Sequence, residues 1–435
     1  MTDQPHPPAG GPSARGHVYG QRSRRRAEPP IGATSGPVDG AAAVAPVKTR
    51  PGGVPRQRSL RRRRRSPIWT KLAVAFGALL MVGGGTGVIA VLFLVNSVNA
   101  SVRTVDLLGG SGAGRNIDGA INMLMVGLDT RAKNPGLGSR SDSIIIAHVP
   151  ATHDRVFLIS IPRDTSAQIP AFPATKFGGG SFKINAAFFY GSQNGGGNSG
   201  GMQLLAMTLK NLTGLSFDSG LIVNFDGFSD IVTKLGGVDM YVDERTQSLH
   251  HGYITGHPNE HAAPWVINPD GTPNHRVPGT TPVIYTVGQH HFNAYDALDY
   301  VRCRDFLKYT DYDRQRHQQQ FIKALLVQAY QKGISDPLRI SSFLGSLGKA
   351  FTFDPGQAAS GRVRTLSDWV FTLKGINPGS MVAIKTNGGV FVPYTGPAPD
   401  DRQALSDDSL TLLHDVGADR VDDFLATHPS WIAQS

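Results

Sequence analysis

From Leu72 to Val95 the chain runs 24 residues without a charge (LAVAFGALLMVGGGTGVIAVLFLV). At 1.5 Å rise per residue, a helix of that length crosses a hydrocarbon core of about 30 Å. We read it as a single transmembrane helix. Arg61 to Arg65 and Lys71 crowd its amino-terminal side, whereas only Arg103 follows closely. Basic flanks stay cytoplasmic, so the amino terminus is expected in the cytoplasm and the remainder outside the membrane. A cleaved signal peptide ending near Val98-Asn99-Ala100 is the competing reading, but the apolar run exceeds the ~7 to 15 residues of such a leader. Gly83 and Gly87 form a G-x-x-x-G pair that would let two such helices pack as a homodimer.

The net charge of +10 does not point to nucleic acid, because residues 1–71 alone carry +12 and the rest −2. Beside a membrane helix, a basic tail serves topology or contact with anionic membrane lipid. Residues 1–66 are rich in Pro, Gly, Ala, Ser and Arg and poor in branched apolar side chains, so they are predicted to be disordered. The helix and its flanks occupy 67–100, a Gly-rich linker 101–118, and a single extracytoplasmic domain 119–435. Cys303 is the only cysteine. That domain must therefore be stable through its core rather than through disulfides.

Ile121–Leu128, Ser143–Val149 and Arg155–Ile161 are short continuous apolar runs bounded by Pro, Gly, Asp or His, the pattern of strands buried on both faces. Helical spacing of apolar residues recurs at Leu204–Leu212, Phe228–Leu235 and Asp311–Lys332. The expectation is an α/β fold, a three-layer α/β/α sandwich on a central mixed sheet. Residues 246–286 are polar and Pro-rich, and are expected as a long surface insertion.

Charged residues gather at the predicted element ends. Asp129 closes the first strand and Asp142 opens the second. Such carboxylates hold a hard divalent cation or merely cap turns, and the residues alone fit either. Arg163 follows the third strand, and Tyr300-Val301-Arg302-Cys303-Arg304 alternates. As a strand it would project Arg302 and Arg304 from one face and bury Cys303. Two guanidinium groups on one face call for an anion between them, and their planar forks suit phosphate. Asp311 and Asp313 open a helix on which Arg314 and Gln318 share a face.

The segments NMLMVGLDTR, RSDS, SIPRDT, KINAAF, and YVRCR followed by DYDRQRHQQ resemble, in order and spacing, the motifs of the LytR-CpsA-Psr family over roughly Ile121–Leu326. That resemblance implies a membrane-anchored cell-wall enzyme. Its members transfer a glycopolymer from a polyprenyl-pyrophosphate carrier to peptidoglycan, leaving a phosphodiester link and releasing polyprenyl phosphate. It implies Mg²⁺, with Mn²⁺ as the alternative, at Asp129 and Asp142, and pyrophosphate contacts from Arg140, Arg163, Arg302, Arg304, Arg314 and Gln318. A supporting cation at Lys183 and a functional carboxylate at Asp311 are implied too. His317 stands where a second arginine is usual, and would make the anion site pH-sensitive. A pyrophosphate hydrolase and a non-enzymatic, membrane-anchored envelope regulator are the competing readings.

A long apolar carrier requires an apolar groove, for which Phe188, Phe189, Leu204, Leu205, Ile231 and Leu325 are the candidates. Gly197 to Gly201 matches a nucleophile-elbow pattern but reads as a floppy loop, because no strand precedes it. Seven of the 14 histidines fall between His250 and His291 without the tight spacing of a zinc site.

Overall fold

The computed structural model of the protein describes residues 103–109, 112, 117–128, 140–268, 271–334, 351–358, 360–373, 375–397 and 401–433. The basic tail, the Leu72–Val95 span and Asp129 lie outside them. Among the described residues no helix is long and apolar enough to cross a membrane.

A seven-stranded sheet organises the domain. Its strands are β1 (Arg103–Thr104), β2 (Ile121–Leu128), β3 (Ser141–Val149), β4 (Val156–Ile161), β5 (Ser219–Asn224), β6 (Phe351–Asp354) and β7 (Met381–Lys385), ordered β1-β6-β5-β2-β3-β4-β7. The three apolar runs form its centre, where β2 pairs antiparallel with β3 and β3 antiparallel with β4. The pairs β5/β2 and β4/β7 are parallel, so the sheet is mixed.

Period-two geometry splits each run between two cores. Leu124, Val126, Ile144, Ile146, Phe157 and Ile159 pack on one face against helices α1 (Asn185–Ser192) and α2 (Gly197–Thr213). Ile145 and Leu158 face the other way, toward Ile322. That residue belongs to α5 (Asp311–Ala329), which follows α3 (Phe225–Lys234) and α4 (Ala294–Tyr300) in the chain. Helix α6 (Leu366–Leu373) brings Trp369 to Ile121, Val149 and Phe353. Helices α7 (Asp407–Gly417) and α8 (Val421–Thr427) return to the first face through Leu412, Leu413 and Phe424.

Two local expectations are corrected. Gly197–Gly201 is the first turn of α2 rather than a loop. Its glycines are there for close approach: a Cβ on Gly200 would stand 2.3 Å from the Gly191 carbonyl oxygen of α1, and one on Gly191 would stand 2.2 Å from that of Gly200. The segment Tyr300–Arg304 is not a strand. Asn293 caps α4 by accepting from the Tyr295 and Asp296 amides at 2.9 and 3.0 Å, and the helix ends at Tyr300. The following turn closes through the Arg302 and Cys303 amides on the Asp299 and Tyr300 carbonyls.

Residues 246–286 fold as a three-stranded sheet (Thr246–Ile254, His257–His261, Thr280–Tyr285) and a two-stranded one (Trp265–Ile267, Pro273–Arg276). Their base is tied down by the buried Asp299 of α4, whose carboxylate accepts from the Ser248 and Tyr285 hydroxyls, each at 2.8 Å.

Helix propensity alone favours alanine over glycine by about 1 kcal/mol. For Gly200→Ala we expect the opposite sign, a loss of about 2 kcal/mol from overpacking against α1, read from the urea unfolding midpoint. A stabilised variant would show that α1 and α2 can separate freely.

Candidate functional site

The carboxyl ends of β2, β4 and β5 and the amino end of β3 share one edge of the sheet, because Gly127 pairs with Ser143, Ile144 with Ile161, and Leu128 with Asn224. That register brings Asp142, at the second position of β3, next to Arg163, two residues past β4. The Arg163 Nη1 donates to Asp142 Oδ1 at 2.7 Å, and its Nε lies 3.9 Å from Asp311 Oδ1. Across the edge, Arg314 Nη2 lies 2.6 Å from Asp311 Oδ1 and donates to the Asp142 carbonyl at 3.1 Å. Gln315 donates to the second Asp311 oxygen at 3.1 Å. Asp311 is therefore held between two guanidinium groups at the start of α5. Burial pushes its carboxyl pKa up, but the charges of Arg314 and Arg163 outweigh it and hold the group below the ordinary carboxylate value.

Asp142, Arg163 and Arg314 of this group border a cavity of about 650 Å³, with Asp311 packed behind the two guanidinium groups. Arg163, Arg302, Arg304 and Arg314 line it together with Asp142, Ser143, Asp305 and Gln318. Four guanidinium groups against two carboxylates leave a surplus of positive charge. Arg302 lies over the Phe225 ring, 4.7 Å from its centroid. Gln318 accepts from Ser143 Oγ at 2.8 Å and donates to the Val301 carbonyl at 3.2 Å, which pins the arginine-bearing turn to β3. Most of the remaining wall is apolar, with Met125, Ile145, Val223, Phe225, Phe228, Leu298, Phe321 and Ile322, and Asn224, His250 and Asn268 add polar groups to it.

Three of the six groove candidates, Phe188, Leu204 and Leu205, lie on the opposite face of the sheet from this cavity. Phe188, Leu204 and Leu205 are fully buried in the core that holds Leu124 and Ile146, whereas the cavity opens beside Met125 and Ile145, whose side chains point oppositely. Phe189, Ile231 and Leu325 do not line it either. Asn224, Phe225 and Phe228 were missed, although Asn224 before a helical run is a capping signal, and its side chain does accept from the Gly227 amide at 2.8 Å.

The other named residues sit around this centre. Arg140 is exposed and lies over the Phe189 ring at 5.7 Å rather than in the cavity wall. Lys183 pairs with Asp401 and with Asp164, at 3.0 Å from the latter, behind Arg163. Arg316 turns away to Asp243, Glu244 and Asp313. His317 is fully buried, lies outside the cavity and stacks on Tyr300 with centroids 4.4 Å apart. Burial pushes its pKa down to about 3, so it is neutral near pH 7 and gives the anion site no pH sensitivity there. Cys303 is buried with its thiol pKa pushed up by burial, a packing residue between the cavity-lining Arg302 and Arg304. Among the described residues no three His, Cys, Asp or Glu side chains group as metal ligands.

The LytR_cpsA_psr family model matches residues 95–384, two thirds of the chain. The chain belongs to this family. Among its relatives is TagV of Bacillus subtilis, a polyisoprenyl-teichoic acid–peptidoglycan teichoic acid transferase, 25% identical over 270 residues, or 60% of this chain and 57% of TagV. The transferase TagU of Oceanobacillus iheyensis is 27% identical over 279 residues, 62% of this chain and 71% of TagU. The aligned segment thus spans little more than half of TagV. The crystal structure of protein gbs0355 from Streptococcus agalactiae shares the fold, with a TM-score of 0.51 and 17% identity over 69% of this chain and 88% of that one. Within this LytR_cpsA_psr domain, Asp142, Arg163, Arg302, Arg304, Arg314 and Gln318 meet in one cavity, and the family match ends before residues 385–433.

The depressed pKa of His317 has a stability consequence. Below its ordinary value of about 6.5 the unfolded chain takes up a proton that the folded chain refuses, so this contribution is lost as pH falls from about 6.5 toward 3. His317→Phe, which keeps a ring against Tyr300, should reduce the drop in unfolding free energy between pH 7 and pH 5 by about 2 kcal/mol. Equal drops in the two proteins would show that His317 takes up its proton within the fold.

Proposed function

We propose that this protein transfers a glycopolymer from a polyprenyl-pyrophosphate carrier to a sugar hydroxyl of peptidoglycan. The observation that carries the reading is the continuity of one cavity, cationic at the sheet edge and apolar beyond it, which matches a diphosphate head joined to a hydrocarbon tail. The names of the TagV and TagU relatives support it.

Arg163 and Arg314 meet the anion already oriented by Asp142 and Asp311, and Arg302 and Arg304 approach from the turn after α4. Fixed guanidinium groups stabilise charge that develops on the phosphoryl oxygens and on the departing polyprenyl phosphate without reorganising as the bond breaks. The acceptor hydroxyl attacks the glycan-proximal phosphorus in line. A new P–O bond forms to the wall sugar, the P–O bond to the bridging oxygen breaks, and the hydroxyl proton passes to solvent or a base.

A Mg²⁺ ion would be held by Asp142, with Asp129 beyond the preceding strand as its partner. The donor chemistry fits: Asp142 is a single carboxylate at the phosphate end, suited to an ion that completes its shell with water and phosphate oxygens. When bound, such an ion neutralises non-bridging oxygen charge. The Leu72–Val95 span would anchor the domain at the outer face of the membrane, where the carrier lipid lies.

The test uses full-length protein in detergent with a polyprenyl-pyrophosphate disaccharide and soluble peptidoglycan strands, with products read by mass spectrometry. The expected product is a phosphodiester-linked conjugate. Arg304→Ala should lower kcat by about 10². Chelation should remove activity, and Mg²⁺ should restore it. Release of free saccharide phosphate alone would replace the transferase reading with a hydrolase, and unchanged transfer by Arg304→Ala would remove the cavity from the chemistry.

A further inference from the structure

The entry to α5 is strained. Thr310 has φ of +44°, a conformation costly for a β-branched residue, and its side chain makes no capping bond. Such a residue persists only where its surroundings over-determine it. Here the strained residue immediately precedes Asp311, the carboxylate that sits between Arg163 and Arg314.

Part of what holds it is local, the Tyr309 amide on Asp313 Oδ2 at 2.7 Å, and part comes from residues past the end of the family match at 384. Tyr312 is buried, and its hydroxyl donates to Gln403 Oε1 at 2.8 Å and accepts from Asn387 Nδ2 at 2.9 Å. Asn387 adopts a left-handed conformation, with φ of +55°. Its Nδ2 also donates to the Ala404 carbonyl at 2.9 Å, and its Oδ1 accepts from the Ser406 amide at 2.8 Å and Ser409 Oγ at 2.7 Å. The amide thereby uses both donors and both acceptor positions. Gln403 closes the loop on the opposite side. Its backbone amide donates to the Asp164 carbonyl at 3.0 Å, and its carbonyl accepts from the Ser166 amide at 2.7 Å. One residue therefore grips the segment that carries Arg163 with its backbone and the helix turn that carries Asp311 with its side chain.

We propose that Tyr312, Gln403 and Asn387 are positioning residues that set the separation of Arg163 and Asp311, so that the segment after residue 384 is a working part of the anion site. This rests on the transferase reading above. None of the three lines the cavity, so their action is through Arg163, Asp311 and Arg314.

The experiment compares Tyr312→Phe and Gln403→Met with wild type in the same transfer assay, with thermal unfolding of each. Tyr312→Phe deletes one oxygen and keeps the ring. Small misplacements of a catalytic group are costly in rate, so each variant should lose about tenfold in kcat with donor KM changed less than twofold. Because both remove the same hydrogen bond, the double variant should lose little more than either alone. Asp419→Asn weakens a different attachment of the same segment, the 3.1 Å contact with His148 near the far end of β3. It should lower the unfolding temperature and leave kcat unchanged. If Tyr312→Phe and Gln403→Met instead follow that pattern, or if their effects on kcat multiply independently, the positioning role is overturned while a dead Arg163→Ala leaves the transferase reading standing. If Tyr312→Phe does not fold, Gln403→Met decides alone. A wild type that is inactive toward the donor overturns both.

Discussion

The carboxylate of Asp311 makes the rest of this site physically affordable. Four guanidinium groups in one partly enclosed cavity repel one another and lose hydration, and a buried charge left without its partner costs about 3–5 kcal/mol. Asp311 answers the two most confined of them, 2.6 Å from Arg314 and 3.9 Å from Arg163. Asp142 answers Arg163 from the other side at 2.7 Å. Arg302 and Arg304 have weaker local compensation, an aromatic face and a carboxylate 3.5 Å away. The least compensated charge therefore lies on the turn after α4.

Neutral hydrogen bonds hold the turn that carries these two arginines. Gln318 joins the Val301 carbonyl to Ser143, so the turn cannot drift from β3 without breaking a link made inside the cavity wall. The insertion at 246–286 adds a second support, because Trp265 packs on Phe306 with centroids 5.1 Å apart and Ile267 and Asn268 line the cavity next to Arg304.

Much of this was legible in the chain and some was not, for definite reasons. The continuous apolar runs identified the central strands because burial on both faces leaves few polar positions, here Asn122, His148 and Ser160. For the same reason they carried no information about which face bore the cavity, and Phe188, Leu204 and Leu205 lie on the other one. The alternation in Tyr300–Arg304 suggested a strand, yet the Asn293 cap and the buried Ala297 and Tyr300 made it a helix end and turn. Arg302 and Arg304 still reach one cavity, because a turn can aim two side chains as a strand does. His317 looked like part of an anion cradle by its place in a motif. Its buried stack on Tyr300 is a fact of tertiary packing that no local pattern carries.

Helix α5 shows how these constraints are reconciled in one element. It is too polar to read as a core helix, yet most of its first ten residues are buried. At 100° per residue its side chains sort into three directions. Arg314 and Gln318 face the cavity, and Asp311 on the same side pairs with Arg314 and Arg163. Tyr312 and Gln319 face the β4 and β7 edge, where the Gln319 amide donates to the Leu158 and Ile384 carbonyls at 3.0 and 3.1 Å and lies 3.0 Å from Ser160 Oγ. Asp313, Arg316, His317 and Gln320 face Asp243, Glu244 and Tyr300. A polar helix can be buried only if each face finds its own partners. The two faces turned away from the cavity fix its rotation about its axis, and that rotation determines where the Arg314 guanidinium points. The geometry of the first face is therefore inseparable from polar packing on the other two.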